Sequence, residues 1–282
     1  ALDLSEEALE ISEAIDNTWG RSYRLWKIGF AFAERGDWSH ALNAMHECIR
    51  LGELAGFLPS QTQTRADLAA LYGELGATQR GIEVVQHVLS TGKLSGHLVD
   101  RGALLSILAS LHLTAGNRAA ARDAIEEAKK DPYLDTWRIL AIPVRLIDAE
   151  VALVQGENVY AAAAMEKLLV DLRQFGARVY VPNCLYLLGK ALAQQGKPKE
   201  SRERWLEARD KAEEIGSRRI LWRILHALSQ IESDPIRAER LRTGARDILE
   251  YISEHIDQPE LRDSFLNQPD VRAVLEPVRL LP

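Results

Sequence analysis

The chain of 282 residues has only two cysteines, 6% aromatic residues and no long apolar run. The two cysteines, Cys48 and Cys184, lie in apolar helical segments, which argues against a disulfide scaffold and favours reduced, buried thiols in a cytoplasmic protein. No apolar run approaches the roughly 20 residues that a membrane span needs, and no signal peptide is visible. Strand-type runs of Val, Ile and Thr are nearly absent, whereas Ala, Leu, Glu and Arg recur, as in long helices.

Motifs for catalysis and metal binding are also missing. There is no phosphate-binding glycine loop, no His-Glu-x-x-His and no paired Cys-x-x-Cys. A nucleophilic pair of Cys184 with His226 is conceivable, but a buried free cysteine is favoured. The net charge of −6 argues against a nucleic-acid surface, and the alternating Arg and Glu of residues 202–223 indicate a solvated, salt-bridged helix face. We therefore expect no enzymatic activity, no cofactor and no metal site.

A short phrase recurs at intervals of 40 residues: ERGDWSHAL, ELGATQRGI, TAGNRAAAR, VQGENVYAA and QQGKPKESR. Its glycines are Gly36, Gly76, Gly116, Gly156 and Gly196. A weaker second series comprises Gly56, Gly96, Gly176 and Gly216, with Thr136 interrupting it. Small residues also recur five positions after and seven positions before each glycine of the first series. Five glycines in one register indicate a repeat protein.

The pattern predicts a helical hairpin in each repeat. Helix A ends at the first glycine, which adopts the left-handed conformation that closes a helix. Helix B follows at once, capped by Asp37 or Asn117, or opened by Pro198. Small residues such as Gly81 and Ala121 lie where helices A and B cross. The apolar stripe of one hairpin cannot be buried alone, so neighbouring hairpins must stack.

These positions resemble the tetratricopeptide repeat (TPR), which has a Leu-Gly pair and an aromatic residue in helix A, then a small and a large apolar residue in helix B. The matching residues are Ile28, Gly29, Phe32, Ala41 and Met45; Leu68, Ala69, Tyr72, Gly81 and Val85; and Leu188, Gly189, Leu192, Ser201 and Trp205. The resemblance covers at least residues 19–256. It implies an all-α, right-handed superhelical solenoid of antiparallel helix pairs.

Several features depart from the usual motif. Each repeat exceeds the usual length of about 34 residues by about six, the signature Trp of helix A is absent, and Asp148 stands where Leu is expected. HEAT repeats share the length of about 40 residues, but the small residues and the glycine turn favour TPR. Such long units resemble those of bacterial signalling ATPases, adenylate cyclases and MalT- or AfsR-like regulators. Residues 245–275 look like the tail that closes such arrays.

The register places a repeat array in residues 1–256. Subtracting 40 from Ala41 gives Ala1, so residues 1–15 match the helix B of a repeat whose helix A is missing. We therefore expect part of a larger protein, with a truncated N-terminal end that can self-associate. A lone capping helix is the alternative.

Five regular repeats are followed by an irregular sixth. Asp234 and Pro235 are predicted to begin its helix B three residues before the register position. A C-terminal capping segment, residues 257–282, then contains two short helices that begin near Pro259 and Pro269.

In the TPR family, helices A line a concave groove, and the resemblance assigns groove positions to this chain. They are Tyr23, Trp26 and Phe30; Gln63, Ala66 and Ala70; Ser106 and Ser110; Glu150; Asn183, Tyr186 and Lys190; and Arg223, His226 and Gln230. This groove is aromatic at one end, small and polar in the middle and cationic at the other, which suits a peptide with an apolar side chain and an acidic group. Alternatively, Trp26 and Phe30 pack beneath a missing repeat.

The expected function is a protein-interaction or regulatory module of a larger bacterial signalling protein. Its partner is a peptide or a partner domain, which can belong to the same polypeptide, bound in the concave groove. The alternative is a sensor domain of a MalT-like transcriptional regulator that binds a small-molecule effector there. Neither function involves a cofactor, nucleic acid or a membrane. Repeat folds do not determine their ligands, so the sequence does not identify the partner.

Overall fold

The computed structural model describes residues 2–91, 100–132, 134–139 and 141–276. Within these ranges the chain forms fifteen α-helices and no strand, which confirms the prediction of an all-α protein. The helices are α1 (Leu2–Ala14), α2 (Thr18–Arg35), α3 (Trp38–Leu54), α4 (Leu58–Glu74), α5 (Thr78–Thr91), α6 (Asp100–Thr114), α7 (Arg118–Ala128), α8 (Ile142–Val154), α9 (Asn158–Phe175), α10 (Val181–Gln194), α11 (Pro198–Ile215), α12 (Arg218–Ile231), α13 (Pro235–Glu254), α14 (Pro259–Leu266) and α15 (Pro269–Leu275). Consecutive helices pack in pairs, and a 3-10 turn (Arg178–Tyr180) precedes α10.

The glycine turns and helix caps follow the sequence prediction. All five glycines of the first series have φ between 75° and 82°, the left-handed conformation that glycine adopts without steric cost. Three glycines of the second series are also left-handed, and Gly96 lies outside the described residues. The side chains of Asp37 and Asn117 cap α3 and α7, and Pro198 is the first residue of α11. Asp234 and Pro235 begin α13 as expected.

The small residues lie where the paired helices cross. Ala41, Ala121 and Ala161 have no exposed surface. A Cβ placed on Gly81 would lie 2.8 Å from the carbonyl oxygen of Ala69 on the partner helix. The backbones approach closely at these positions because no larger side chain separates them.

We predict that Ala121→Leu destabilises the protein by about 1–3 kcal/mol, because added methyl groups overpack a closed helix crossing. Ala119→Leu on the same helix is the matched control, since Ala119 is exposed and its change should be nearly neutral. Urea unfolding of both variants measures the difference. Equal midpoints for the two variants would show that Ala121 does not lie at a crossing.

The helices form six hairpins: α2–α3, α4–α5, α6–α7, α8–α9, α10–α11 and α12–α13. The first helices of these hairpins contact one another in turn. Contacts join α2 to α4, α4 to α6, α6 to α8, α8 to α10 and α10 to α12, and α12 in turn contacts α2. Among the described residues, the second helices of successive hairpins make no comparably extensive contacts. The six first helices therefore lie on the inner side of the array, and their contacts form a closed cycle. The sequence prediction of a groove with two separate ends did not include this closure.

The C-terminal helices pack on the first two hairpins. The carbonyl of His255 accepts a hydrogen bond from the Ser39 amide at 2.9 Å, and Gln268 Nε2 donates to the carbonyl of Glu74 at 2.7 Å. A shared buried cluster includes Trp38, Leu42, Leu75, Leu249, Ile252 and Phe265. Helices α14 and α15 confirm the two short closing helices, while residues 277–282 of the predicted capping segment lie outside the described residues. The segment thus covers the beginning of the array as well as following its end.

Two further surfaces bear on the sequence predictions. Helix α1, the predicted remnant helix, packs on α2, and its Ile11 and the following Ile15 are 56% and 67% exposed. The basic and acidic residues of α11 form ion pairs with one another, including Lys211 with Glu214, which confirms a salt-bridged helix face. No helix in the described part of the chain combines the length and apolarity required to cross a membrane.

A polar pair replaces an apolar one between α7 and α8. Asp148 stands at the register position of Leu68, Leu108 and Leu188, and Lys129 at that of Ile49, Leu89 and Leu169. Lys129 Nζ lies 3.3 Å from the Asp148 carboxylate, which also accepts a hydrogen bond from the Tyr160 hydroxyl. The polar Asp148 at a position where the pattern expects Leu is therefore matched by a polar residue, Lys129, directly after the end of α7.

We predict that the double change Lys129→Leu with Asp148→Leu leaves stability unchanged or raises it by about 1–4 kcal/mol, because an apolar pair replaces a partly buried ion pair. Lys129→Leu alone should instead be destabilising, since the carboxylate of Asp148 loses its cation. Thermal and urea unfolding of the three proteins tests this. If the double variant is less stable than Lys129→Leu alone, an apolar pair cannot replace the ion pair at this position and the prediction is wrong.

Candidate functional site

The inner helices carry the residues that the sequence assigns to the groove. Twelve of the groove positions are half-buried: Tyr23, Trp26, Phe30, Gln63, Ala70, Ser110, Glu150, Asn183, Tyr186, Lys190, Arg223 and His226. Gln230 and half-buried Ala70 retain exposed surface, whereas Ala66 is 2% exposed. Ser106 is fully buried and its hydroxyl donates to the carbonyl of Ala103, so it presents no group to a ligand.

The aromatic residues of α2 make polar contacts with α4. Trp26 Nε1 donates a hydrogen bond of 2.6 Å to the carboxylate of Asp67. The Tyr23 ring packs edge-on against Trp26 with centroids 5.7 Å apart, and Lys27 Nζ lies 3.7 Å from the centroid of a Trp26 ring. Trp26 is therefore held within the molecule by a charge-assisted hydrogen bond and a cation–π contact.

Arg219 joins α12 to both α2 and α4. Its Nη1 donates to Glu34 at 2.9 Å, and its Nε lies 2.9 and 3.0 Å from the two carboxylate oxygens of Glu74. Ser217 adds a hydrogen bond of 2.6 Å to Glu34. Burial alone would lower the pKa of Arg219, but the attraction of Glu74 and Glu34 outweighs it and raises that pKa above its usual value. The guanidinium is thus fixed between two carboxylates from neighbouring hairpins.

Tyr180 and Asp67 extend this group of interactions. Burial raises the pKa of Tyr180 to about 12, and the negative charges of Asp67 and Glu34 add to the effect against that of Arg219. Burial also raises the pKa of Asp67, although the hydrogen bond from Trp26 and the charge of Arg219 oppose it. We refer to Trp26, Lys27, Glu34, Asp67, Glu74, Tyr180 and Arg219 as the inner polar cluster.

Sequence reasoning missed most of this cluster, although the repeats contain a signal for it. Glu34 and Glu74 stand two residues before the repeat glycine in the first and second phrases, and the other three phrases have no acidic residue there. Lys27 and Asp67 also share one register position in adjacent repeats, with opposite charges. Charged residues confined to the first two repeats of a register position mark an additional contact. They do not reveal that α12 supplies the partner.

The inner face of α10 and α12 has different chemistry. Asn183, Tyr186 and Lys190 lie on α10, where the Lys190 ammonium is 5.6 Å from the Tyr186 ring centroid. On α12, Arg223 stacks over Trp222 and the buried Nδ1 of His226 has no hydrogen-bond partner. This stretch presents an amide, a phenol ring and two cations outside the inner polar cluster.

The two cysteines are buried, and the described residues contain no metal-binding group. Cys184 is fully buried and its thiol donates to the carbonyl of Met165, while burial raises its pKa to about 12. Cys48 is equally buried beside the hydroxyl of Thr64. No group of three or more His, Cys, Asp or Glu side chains in the described ranges is positioned to hold a metal ion. The chemistry of the inner face is ion pairing, hydrogen bonding and aromatic contact.

No family model matches the sequence, and no curated protein matches it significantly. The inference of function therefore depends on the repeat pattern and on the geometry of the inner face.

We predict that Asp67→Asn becomes progressively more stable than the wild type as pH rises. The folded-state pKa of Asp67 lies above the ordinary value of 3.8, so the wild-type carboxyl favours folding while protonated and loses that contribution as pH rises through the folded pKa. The amide oxygen of the variant still accepts from Trp26 and does not ionise. Urea unfolding of both proteins over a pH series gives the difference.

The exposed Asp123→Asn substitution, which makes the same chemical change at the surface, is the control for this series. A difference for Asp67→Asn that is constant across the series, or that shrinks as pH rises, would contradict the raised pKa.

Proposed function

We propose that the chain is a TPR-like protein-interaction or regulatory module that binds a peptide or partner domain on its inner face. The observation that carries this proposal is the ordering of the six first helices on the inner side, where half-buried polar, aromatic and cationic side chains recur from hairpin to hairpin. Tandem hairpins use such extended inner surfaces for binding.

The finer description of the fold belongs to the same proposal. The 40-residue register, the left-handed glycines and the contacts among the inner helices support a right-handed superhelical TPR array with long repeats. A place in a bacterial signalling protein follows from the resemblance of these long repeats. A cytoplasmic location is supported by two free, buried cysteines.

The inner face of α10 and α12 is the part of the groove that we assign to the partner. Trp26 and Arg219 already have partners within the chain, so binding to them requires displacement of internal contacts. Lys190 and Arg223 form no ion pair among the described residues and instead lie over the rings of Tyr186 and Trp222. A peptide with an apolar side chain for Tyr186 and an acidic group for Lys190 and Arg223 matches this chemistry.

We predict that peptides selected from a displayed random library against the folded chain bind through this stretch. Tyr186→Ala should weaken them by on the order of 2–4 kcal/mol, mainly through faster dissociation. Lys190→Glu with Arg223→Glu should slow association and flatten its salt dependence, because charge complementarity acts mainly on the encounter. Surface plasmon resonance over a salt series measures both effects.

Lys199→Glu on the outer helix α11 is the matched control, because Lys199 is exposed and lies away from the inner face. Circular dichroism melts must show that each variant remains folded. If the peptides keep their affinity for the Tyr186, Lys190 and Arg223 variants but lose it with Lys199→Glu, they bind the outer face. A metabolite that raises the melting temperature while no peptide binds would favour the small-effector alternative.

A further inference from the structure

The contact that closes the cycle joins two surfaces from distant parts of the chain. The first, which we call the head surface, comprises the ends of α2 and α4 with the turns and the start of α3 that follow them. The second, the tail surface, comprises the start of α12 and the helices α13 to α15. The hydrogen bonds between them link residues separated by 145 to 218 positions, such as Arg219 with Glu74 and Asp257 with Ser39.

The two surfaces are complementary rather than alike. The head surface supplies the carboxylates of Glu34 and Glu74, and the tail surface supplies Arg219. Gly76 of the head surface lies so close to the tail that an added Cβ would be 2.7 Å from the carbonyl oxygen of Ser264. Unlike surfaces that fit one another form head-to-tail contacts, which can be made within one chain or between two.

Both surfaces are also apolar. Trp38, Leu42 and Leu75 of the head surface share one buried cluster with Leu249, Ile252 and Phe265 of the tail surface. A chain whose cycle opened would expose both sets of side chains to water, and exposed apolar patches of this kind are unfavourable unless covered. A second copy of the chain carries the surface that covers each of them.

We propose that the closing contact is exchangeable, so that two copies of this chain form a reciprocal dimer in which each head surface binds the partner's tail surface. Such a dimer keeps every closing contact. Its free energy differs from that of two closed chains in the entropy of association and in the conformation of the chain segments that connect the two surfaces. The closed monomer is favoured at low concentration, because the covalent connection gives the tail a high effective concentration. This inference does not depend on the proposed binding of a peptide.

Cysteine cross-linking tests the exchange directly. The Asp257 amide donates to the Ser39 hydroxyl at 2.8 Å, so these two residues are in contact across the interface. A chain with Ser39→Cys and a differently tagged chain with Asp257→Cys are refolded together from urea at on the order of 1 mM, because a high concentration favours contacts between chains. A closed monomer of either chain holds only one introduced cysteine at the interface, and the native Cys48 and Cys184 are buried.

The expected result is a disulfide-linked dimer that carries both tags. It should be roughly tenfold more abundant than with a control pair in which Asp257→Cys is replaced by Glu166→Cys on the exposed side of α9. One chain with both Ser39→Cys and Asp257→Cys should form an intrachain disulfide, which establishes that the pair can cross-link. An efficient intrachain disulfide without excess of the doubly tagged dimer would overturn the proposal.

Charge reversal provides a second, independent measurement. Arg219→Glu in one chain, and Glu34→Arg with Glu74→Arg in another, place like charges at the closing contact of each. In a mixed reciprocal dimer both contacts again join opposite charges, so the mixture should contain on the order of tenfold more dimer than either chain alone in sedimentation velocity. A chain with all three changes should close as a folded monomer. If that chain is a monomer and the mixture shows no dimer, the contact does not exchange.

Discussion

Arg219 joins the sixth hairpin to the first two at the point where the cycle of inner helices closes. Its guanidinium lies among residues from three helices, where a charge is tolerated only if it is paired and hydrogen-bonded. Glu34 and Glu74 provide these partners because they occupy equivalent positions in neighbouring hairpins, two residues before each helix-ending glycine. The single guanidinium of Arg219 can therefore join both hairpins to α12. Removal of any one of the three groups would leave a partly buried charge without its full set of partners.

This closure changes the chemistry of the inner face. In an open array, the aromatic residues of α2 and the cations of α12 would be the opposite ends of a long groove. Trp26 bonds to Asp67 on the neighbouring hairpin, and closure places the charge of Arg219 where it acts on the same carboxylate. The groups best suited to hold a ligand are then already engaged with one another. A partner at the inner polar cluster has to replace ion pairs and hydrogen bonds that the chain makes with itself, whereas one at Tyr186 and Lys190 displaces only the contact between the Lys190 ammonium and the Tyr186 ring.

The parts of the structure that could be predicted from sequence are local. Helix ends follow from glycines, prolines and capping side chains within a few residues, and hairpin packing follows from a 40-residue register in which each hairpin touches its neighbours. Closure depends instead on small rotations that accumulate over six hairpins, and no residue pattern encodes their sum. The acidic residues at positions 34 and 74 are visible as departures from the register. Their partner, 145 or more residues away, becomes identifiable only when the curvature is known.

The repeat glycines show how one sequence feature can have two physical causes. All five need a left-handed backbone, and around Gly116, Gly156 and Gly196 there is open space in which a Cβ would meet nothing within 4 Å. At Gly36 and Gly76 a Cβ would also approach Ile252 or Ser264 of the C-terminal helices to within 2.8 Å. Three of these glycines are therefore required by local conformation alone, and two by the closing contact as well. In an array with only neighbour contacts each hairpin contributes separately to stability. Here the first two hairpins and the C-terminal helices stabilise one another directly, so the ends of the array are coupled in a way that its middle is not.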